Sequence, residues 1–222
     1  TGQWQTYTFP LQMLADAGLD VSAIDVVMIF PAWGQGEGAV YRVDNVEITL
    51  DYPELTLFAD QINPDWPMWD CCGGSVPTEE MDDAAHGTVA EFRIGATPTV
   101  MGFNNRTGSG GSGEPFDAGL LRNGGIVQFE MKLVSAPANA AADWIFKIEA
   151  DNAATAVEVS LTTSVEGVAP VVGQWQTYTF NVADLLEAGL DISAIDVLMV
   201  FPAWGQGEGA IYRLDNVVIK QP

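Results

Sequence analysis

The chain has few basic residues, few cysteines and a single histidine, and each scarcity excludes a class of function. Among its 222 residues there are 8 Lys and Arg against 30 Asp and Glu, a formal net charge of −22. Such an excess of acid repels nucleic acid and anionic membrane surfaces, so neither is expected as a partner. No apolar run is long enough to span a bilayer. The two cysteines are adjacent, and with His86 they lack the ligand spacing of a zinc site.

Motifs of catalysis are also missing. The sequence contains neither a nucleophile elbow nor a phosphate-binding loop, and His86 has no serine or cysteine context. Thirty carboxylates supply some pair at glycosidase spacing by number alone, so their abundance indicates nothing. We therefore predict that the chain is not an enzyme.

A long internal repeat is the strongest positive signal. Residues 2–48 return at 173–219 with a constant offset of 171, and about 35 of the 47 aligned positions are identical. A long fixed period indicates tandem copies of one structural unit. We predict a complete module in 53–222 and, in 1–52, the truncated C-terminal third of a preceding repeat. So short a segment buries too little core for independent stability. We expect it to dock on another chain, to swap, or to complement a separate piece of its own module.

Within the module the pattern is that of short β-strands. Runs rich in Val, Ile, Phe and Thr are separated by Gly, Pro, Asn and Asp. The stretches FEMKL (129–133) and VEVSL (157–161) alternate apolar and polar residues, as strands with one buried face do. VADLLEAGL (182–190) predicts a short helix that ends at Gly189. Many short strands without βαβ alternation predict an all-β, antiparallel sandwich of jelly-roll type.

Two blocks resemble a known family. The stretch FPAWGQGEGAIYRLDNVVI (201–219) and the block from Leu55 to Gly95, with its Trp-Asp-Cys-Cys-Gly segment, resemble non-catalytic β-sandwich carbohydrate-binding modules. Such modules are appended to secreted bacterial β-glucanases such as laminarinases, and their last strand commonly reads aromatic-x-x-Asp-Asn-apolar, here Tyr212 to Val217. The resemblance implies a secreted protein that binds a neutral polysaccharide, with a β-glucan as the first expectation.

Cys71 and Cys72 stand in the stretch DWPMWDCCGG (65–74). Three states are open for them: a vicinal disulfide, two reduced and separately buried thiols, or a bond between chains. A vicinal disulfide closes a small ring with an unusual backbone geometry, and such strain persists at functional sites. It is also stable in the oxidising environment of a secreted protein. We expect a vicinal disulfide that stiffens a sugar-binding loop and packs against a pyranose face.

Sugars present C–H faces that stack on indoles and hydroxyls that need paired donors and acceptors. The candidate carbohydrate-binding residues are therefore Trp66, Trp69, Asp70, Cys71, Cys72, Asn104, Arg106 and Trp204. Trp33 and Trp204, each in PAWGQGEGA, either cap the sandwich edge or line a site with Gln206 and Glu208. Trp4 and Trp175 lie in alternating strands, and we assign them to the core.

Asn104 and Arg106 belong to a polar, glycine-rich stretch, residues 102–117. Their chemistry suits sugar hydroxyls, and loops on rigid sandwiches carry function. The alternative is a mobile connector. The same stretch contains the formal N-glycosylation sequon NRT, with Asn105 as its acceptor.

The resemblance also implies a structural calcium ion. Asp215 stands where resembling modules supply a Ca²⁺ ligand from the last strand, and Asp60, Asp82 and Asp83 are its obvious partners. Ca²⁺ takes carboxylate and carbonyl oxygens. The alternative is a set of solvated carboxylates without metal. Asp44 is the equivalent of Asp215 in the truncated copy.

Two functional hypotheses follow. The first is a non-catalytic carbohydrate-binding module, repeated so that avidity rises on a repeating polymer. The second is a structural repeat of an extracellular filament or adhesin, in which the strands of residues 1–52 complete the sandwich of a neighbouring repeat or chain.

Overall fold

The chain folds as two compact units, residues Thr1–Thr49 and Leu50–Pro222. A computed structural model describes residues 2–21, 23–49 and 51–222. None of the helices in these residues is long and apolar enough to cross a membrane.

The second unit contains eleven strands and one α-helix. The strands are β1 (Leu55–Phe58), β2 (Met68–Asp70), β3 (Ser75–Met81), β4 (Thr88–Ile94), β5 (Met101–Asn104), β6 (Ile126–Ser135), β7 (Trp144–Ala150), β8 (Thr155–Ser160), β9 (Trp175–Asn181), β10 (Ile195–Pro202) and β11 (Ile211–Lys220). Short 3₁₀ turns lie at Thr107–Ser109, Gly119–Arg122 and Leu161–Thr163.

The strands form two antiparallel sheets. Sheet A has the order β3-β4-β11-β6-β9, and β1 also pairs with β11. Sheet B has the order β2-β5-β10-β7-β8. On β11, Ile211–Leu214 pair with β4, while Val217–Ile219 pair with β1. The predicted antiparallel jelly-roll sandwich is confirmed.

Side-chain alternation along the strands builds the core between the sheets. On β7, Phe146, Ile148 and Ala150 are buried, while Lys147 and Glu149, which alternate with them, are partly exposed. Phe146 stacks on Phe180 of sheet A at 4.3 Å between ring centroids. Even positions of β7 therefore face sheet A, and odd positions form the outer face of sheet B.

The centre of the sandwich belongs to β10 and β11. Every residue of β10 is buried. Tyr212 on β11 stacks on Phe92 at 5.1 Å and meets Trp144 edge to face at 5.1 Å. Its buried hydroxyl donates a hydrogen bond to the Val200 carbonyl oxygen, which ties β11 to β10 across the two sheets.

A short helix, α2 (Val182–Glu187), carries the chain from β9 in sheet A to β10 in sheet B. Val182 and Leu185 are its buried residues. Gly189, at a φ of 101°, ends it, and Leu190 donates its backbone N–H to the Leu185 carbonyl oxygen. A positive φ of this kind is the conformation that glycine adopts without strain. The predicted helix and its end are confirmed.

The first unit contains the helix α1 (Leu11–Asp16). Among its described residues, 2–21 and 23–49, no strand is formed and no residue is buried. Trp4, which the sequence assigned to the core, is 69% exposed. Trp175 is not in the core either. It lies opposite Lys132 on the outer face of sheet A and stacks on His86 at 4.0 Å.

Candidate functional site

A row of five residues crosses the outer face of sheet B, one from each strand. Paired residues on neighbouring strands share a face. The register therefore places these side chains in line, in the order Trp69, Gly102, Met199, Lys147 and Glu158. The row beside it, from Met68 through Phe103 and Leu198, packs into the core. The first row thus presents a half-buried indole at one end and charged groups at the other.

Gly102 brings β5 and β10 close together beside Trp69. A Cβ at this position would overlap the Leu198 carbonyl oxygen and lie 2.6 Å from the Met199 Cα. Only glycine permits β5 and β10 to approach this closely. Gly102 and Met199 are both buried, so the exposed parts of the row are Trp69 at one end and the charged residues at the other.

Arg106 holds the polar part of the same face. Its Nε and Nη2 donate to the two Asp196 carboxylate oxygens at 3.0 and 2.8 Å, and Nη2 also donates to Glu149 at 2.8 Å. The hydrogen bond to Asp196 is the main reason why the pKa of Arg106 is raised above its usual value, against the effect of burial. Lys147 lies 3.0 Å from the other Glu149 oxygen. The face thus carries fixed charges of both signs.

A vicinal disulfide joins Cys71 and Cys72 immediately after β2. Cys71 is half-buried and donates its backbone N–H to the Val100 carbonyl oxygen at 3.1 Å, whereas Cys72 is exposed. The disulfide therefore presents Cys72 to solvent next to the strand that carries Trp69.

Asp70 holds the disulfide loop in place. Its Oδ1 accepts the backbone N–H groups of Cys72 and Gly73 at 2.7 and 2.8 Å and the Thr99 hydroxyl, and its Oδ2 accepts the Ser75 N–H. Burial raises the pKa of Asp70, but these hydrogen bonds outweigh it and lower the pKa below its usual value. The carboxylate is thus a structural anchor rather than a free ligand group.

The loop that carries Trp204 lies at the same end of sheet B. It follows the end of β10, which is next to the start of β5 and the end of β2. A shallow depression at this end is lined by residues of 94–99 and by Pro202, Gly205, Gly207 and Glu208. Gly74 of the disulfide loop contacts the same 94–99 segment, because its carbonyl oxygen accepts the Gly95 N–H at 2.8 Å. Trp204 itself is 60% exposed.

The predicted binding residues thus fall into two groups. The larger group lies on the outer face of sheet B or at its adjoining end: Trp69, Asp70, Cys71, Cys72, Asn104, Arg106 and Trp204. Trp66 is separate. It is 2% exposed and packs in the core, so its indole offers no face to a ligand. Asn104 is buried beside Arg106 and accepts the Arg106 N–H at 2.9 Å.

The sequon asparagine is used internally. Asn105 is 1% exposed, and its Nδ2 donates to the Asp65 carbonyl oxygen at 3.1 Å and to the Ser112 hydroxyl at 2.8 Å. The nitrogen that would carry a glycan is therefore enclosed in the folded module.

Lys147, Glu149 and Glu158 were not among the predicted site residues. Their signal was present in the alternation of WIFKIEA (144–150), where polar residues interrupt apolar ones. The alternation shows that they face away from the core, but their alignment with Trp69 depends on the strand order.

A second cluster lies on the outer face of sheet A. Among the described residues, His86, Glu130 and Asp215 bring ligand atoms within 4.8 Å of one another. Asp215 is 3% exposed, and burial is the main cause of its raised pKa, to which the nearby Asp60 and Glu130 carboxylates add. A buried carboxylate facing two others is an environment that a cation stabilises.

The other two predicted metal ligands have protein partners. Asp82 lies 2.8 Å from Lys132 Nζ and 3.2 Å from Arg213 Nη1. Asp83 contacts the His86 imidazole at 2.9 Å and accepts the backbone N–H groups of Ala85 and His86. Asp82 is thus paired with basic side chains, and Asp83 borders the cluster through His86, whose Nε2 lies 3.6 Å from Glu130.

The fold is that of a carbohydrate-binding-module β-sandwich. A family 30 carbohydrate-binding module matches with a TM-score of 0.56 at 13% identity, over 77% of this chain and 89% of that chain. The family 30 module of the cellulosomal cellulase Cel9D-Cel44B of Clostridium thermocellum matches with a TM-score of 0.54 at 13% identity, over 75% and 96%. An exo-β-agarase matches at 0.54 and 12% identity, over 75% of this chain and 25% of that one. No protein-family model and no curated protein matches the chain.

The role of Asp70 predicts a pH-dependent loss of stability in Asp70→Asn. Asparagine keeps one acceptor oxygen but presents an amide to donors that need a carboxylate, at a cost of about 1–2 kcal/mol in the free energy of unfolding. Because the folded-state pKa lies below the usual 3.8, the carboxylate stabilises the fold above that pH. This contribution is lost as pH falls through the lowered pKa.

Urea unfolding from about pH 7 down to about pH 2.5 measures the effect. The difference between wild type and Asp70→Asn should shrink toward the acid end, and Asp51→Asn, at an exposed carboxylate, should match wild type throughout. A difference that is constant with pH would contradict the role given to Asp70.

Proposed function

We propose that residues 53–222 are a non-catalytic module that binds a neutral polysaccharide, a β-glucan first, on the outer face of sheet B and at its disulfide end. The observation that carries the proposal is the row from Trp69 across Gly102 to Lys147 and Glu158. The likeness of the fold to carbohydrate-binding modules supports it.

The chemistry of this face suits a sugar chain. A pyranose presents an apolar C–H face to an indole, and the Trp69 indole is partly exposed on this face. Ring hydroxyls need donors and acceptors held in fixed positions. Arg106, Lys147 and Glu149 supply both and hold one another in place through ion pairs of 2.8 and 3.0 Å.

Charge supports a neutral ligand. The chain has a net charge of −22, and the face includes Glu149, Glu158 and Asp196. These carboxylates repel polyanionic glycans. The preference for a β-glucan rests on the sequence resemblance to modules of β-glucanases, and the cellulase named with one matching module agrees with it. We further propose a secreted protein without hydrolytic activity of its own.

Affinity electrophoresis of the full chain in gels with laminarin, mixed-linkage glucan, xylan or agarose tests the proposal. We expect retardation on a glucan, reduced about five- to tenfold in affinity by Trp69→Ala and by Trp204→Ala, because each removes a stacking surface. Trp33→Ala is the matched control, since Trp33 has the same local sequence as Trp204 in the first unit. Reductant should weaken binding through the disulfide loop, and no reducing sugar should be released.

Equal retardation of Trp69→Ala and wild type would contradict the assignment of sheet B. No retardation on any polymer, together with concentration-dependent polymerisation, would instead favour the filament or adhesin hypothesis.

We also propose that a structural Ca²⁺ ion binds among Asp60, Glu130 and Asp215. Asp215 on β11 lies near Glu130 on β6, and Asp60, in the loop after β1, is close enough to raise the pKa of Asp215. Ca²⁺ takes such oxygens from separate elements. His86 borders the site but is held by Asp83 and by its stack on Trp175. When bound, the ion would offset the mutual repulsion of the carboxylates and join the first and last strands of the module.

Thermal unfolding with CaCl₂ or with EDTA tests this site. At Ca²⁺ about 100 times above Kd, binding contributes about 2.7 kcal/mol, which raises Tm by roughly 5–10 °C. Asp215→Asn should abolish the rise, while Asp44→Asn, in the same YRxDNV sequence of the first unit, should retain it. An equal rise in Asp215→Asn, or none in wild type, would reject the site.

A further inference from the structure

The first unit has the local conformation of the last third of the module. Helix α1 (Leu11–Asp16) corresponds residue for residue to α2 (Val182–Glu187) at the offset of 171. Tyr41 donates its hydroxyl to the Ile29 carbonyl oxygen at 2.7 Å, as Tyr212 does to Val200. Asn45 and Asn216 have φ angles of 50° and 48°. The described parts of the first unit, residues 2–21 and 23–49, therefore hold turns of the last third of the module without the contacts that surround that third.

The side chains that form the core in the last third are exposed in the first unit. Ile29 is 55% exposed and its equivalent Val200 is 0% exposed. Tyr41 is 55% exposed and Tyr212 is 0% exposed. The same difference holds for residues 26–30, the equivalents of residues 197–201 in the middle of β10. A contiguous apolar surface of this kind marks an interaction site.

The backbone of the first unit needs partners as well. In the module, β9 pairs with β6, β10 pairs with β5 and β7, and β11 pairs with β1, β4 and β6. None of β9, β10 and β11 pairs with another of the three. All their partners lie in residues 55–160, the strands β1 to β8. The segments equivalent to β9, β10 and β11 in the first unit therefore lack every ladder partner that their sequences have in the module.

The aromatic residues that contact the last third in the module indicate which surface is complementary to the first unit. An open groove in the first unit is lined by Tyr7, Ile29, Tyr41 and Val43 among others. Tyr178 and Tyr212, the equivalents of Tyr7 and Tyr41, contact aromatic rings of the body. Those rings are Phe129, at 5.6 Å from Tyr178, and Phe92 and Trp144, each at 5.1 Å from Tyr212. The complement of the groove is a set of strands that carries these rings.

We propose that residues 2–49 are a docking surface for the sandwich body formed by residues 55–172, and that they can replace residues 173–220 on it. The body is the partner that we expect, because it already covers the equivalent side chains of residues 173–220 in this chain. Most differences at buried positions are conservative: Val27 for Leu198, Ile29 for Val200, Val40 for Ile211 and Val43 for Leu214. The exception is Glu47 for Val218, a position that lies opposite the polar residues Thr56 and Gln128.

The length of chain between the surface and the body permits the exchange within one molecule. Leu55 of β1 pairs with Ile219 of β11, and the equivalent of Ile219 is Ile48. In the exchanged form Ile48 pairs with Leu55, so residues 49–54 become the loop of an antiparallel hairpin. Six residues are enough to close such a connection. The result is a circularly permuted module in which residues 173–222 are released.

Matched charge substitutions in the two copies test the exchange in the full chain. Val200→Asp places a carboxylate in the core and disables the last third, and Ile29→Asp does the same to the first unit. We expect Val200→Asp and Ile29→Asp each to keep near-ultraviolet circular dichroism and one cooperative unfolding transition. The double variant should lose both, because neither segment can then complete the body.

Hydrogen exchange with mass spectrometry shows which copy is in place, since peptides from the two copies differ in sequence. In Val200→Asp, backbone protection should disappear from 195–202 and arise in 24–31, while Ile29→Asp should keep the wild-type protection at 195–202. If Val200→Asp is as unfolded as the double variant, the first unit does not fit the body and the proposal is wrong. A folded Val200→Asp that is a dimer in sedimentation would place the occupant in a second copy and overturn the exchange within one chain.

Discussion

The two strands at the centre of the sandwich come from the last third of the module, and the rest of the structure depends on their pairing. β11 joins β1, β4 and β6 into sheet A, and β10 joins β5 and β7 into sheet B. The Tyr212 hydroxyl bonded to Val200 connects the two strands through the core. The body from β1 to β8 thus has a gap in both sheets until residues 175–220 fill it. Because the sequence of this last third occurs twice in the chain, two similar segments are available to complete one body.

The same pairing builds the candidate binding face. Met199 of β10 lies between Gly102 and Lys147, so the line from Trp69 to Glu158 exists only when β10 is in place. Recognition and completion of the fold are therefore coupled: a segment that replaced β10 would also rebuild the middle of the face. The equivalent of Met199 in the first unit is also a methionine, Met28.

Few basic residues are present, and several are used inside ion pairs. Arg106 binds Asp196 and Glu149, Lys147 binds Glu149, and Lys132 and Arg213 share Asp82. These ion pairs offset part of the acidic charge on the outer faces of the two sheets, and the chain as a whole keeps a net charge of −22. Such a distribution favours solubility and disfavours anionic ligands.

The strands, the sandwich and the helix at 182–187 could be predicted from the local alternation of apolar and polar residues and from Gly189, because these patterns extend over only a few residues. The local sequence pattern did not predict reliably which side of a strand faces the core. Trp175 alternates as a core residue does, yet pairs with Lys132 on the outer face. Trp66 has Pro and Asp as sequence neighbours but is buried. Its backbone N–H donates to the Asn63 carbonyl oxygen in a turn, and its indole packs in the core. The position of Trp175 depends on strand pairing over a long sequence distance, and that of Trp66 on how a local turn packs against the core.

The most direct test of the proposed function is a titration of the full chain with a β-glucan oligosaccharide, followed by the tryptophan indole N–H signals in NMR. Single tryptophan substitutions assign the signals. Binding on the face of sheet B predicts shifts for Trp69 and Trp204, with Trp144 in the core and Trp175 on sheet A unchanged. Shifts confined to Trp175, or no shift at saturating oligosaccharide, would contradict the account.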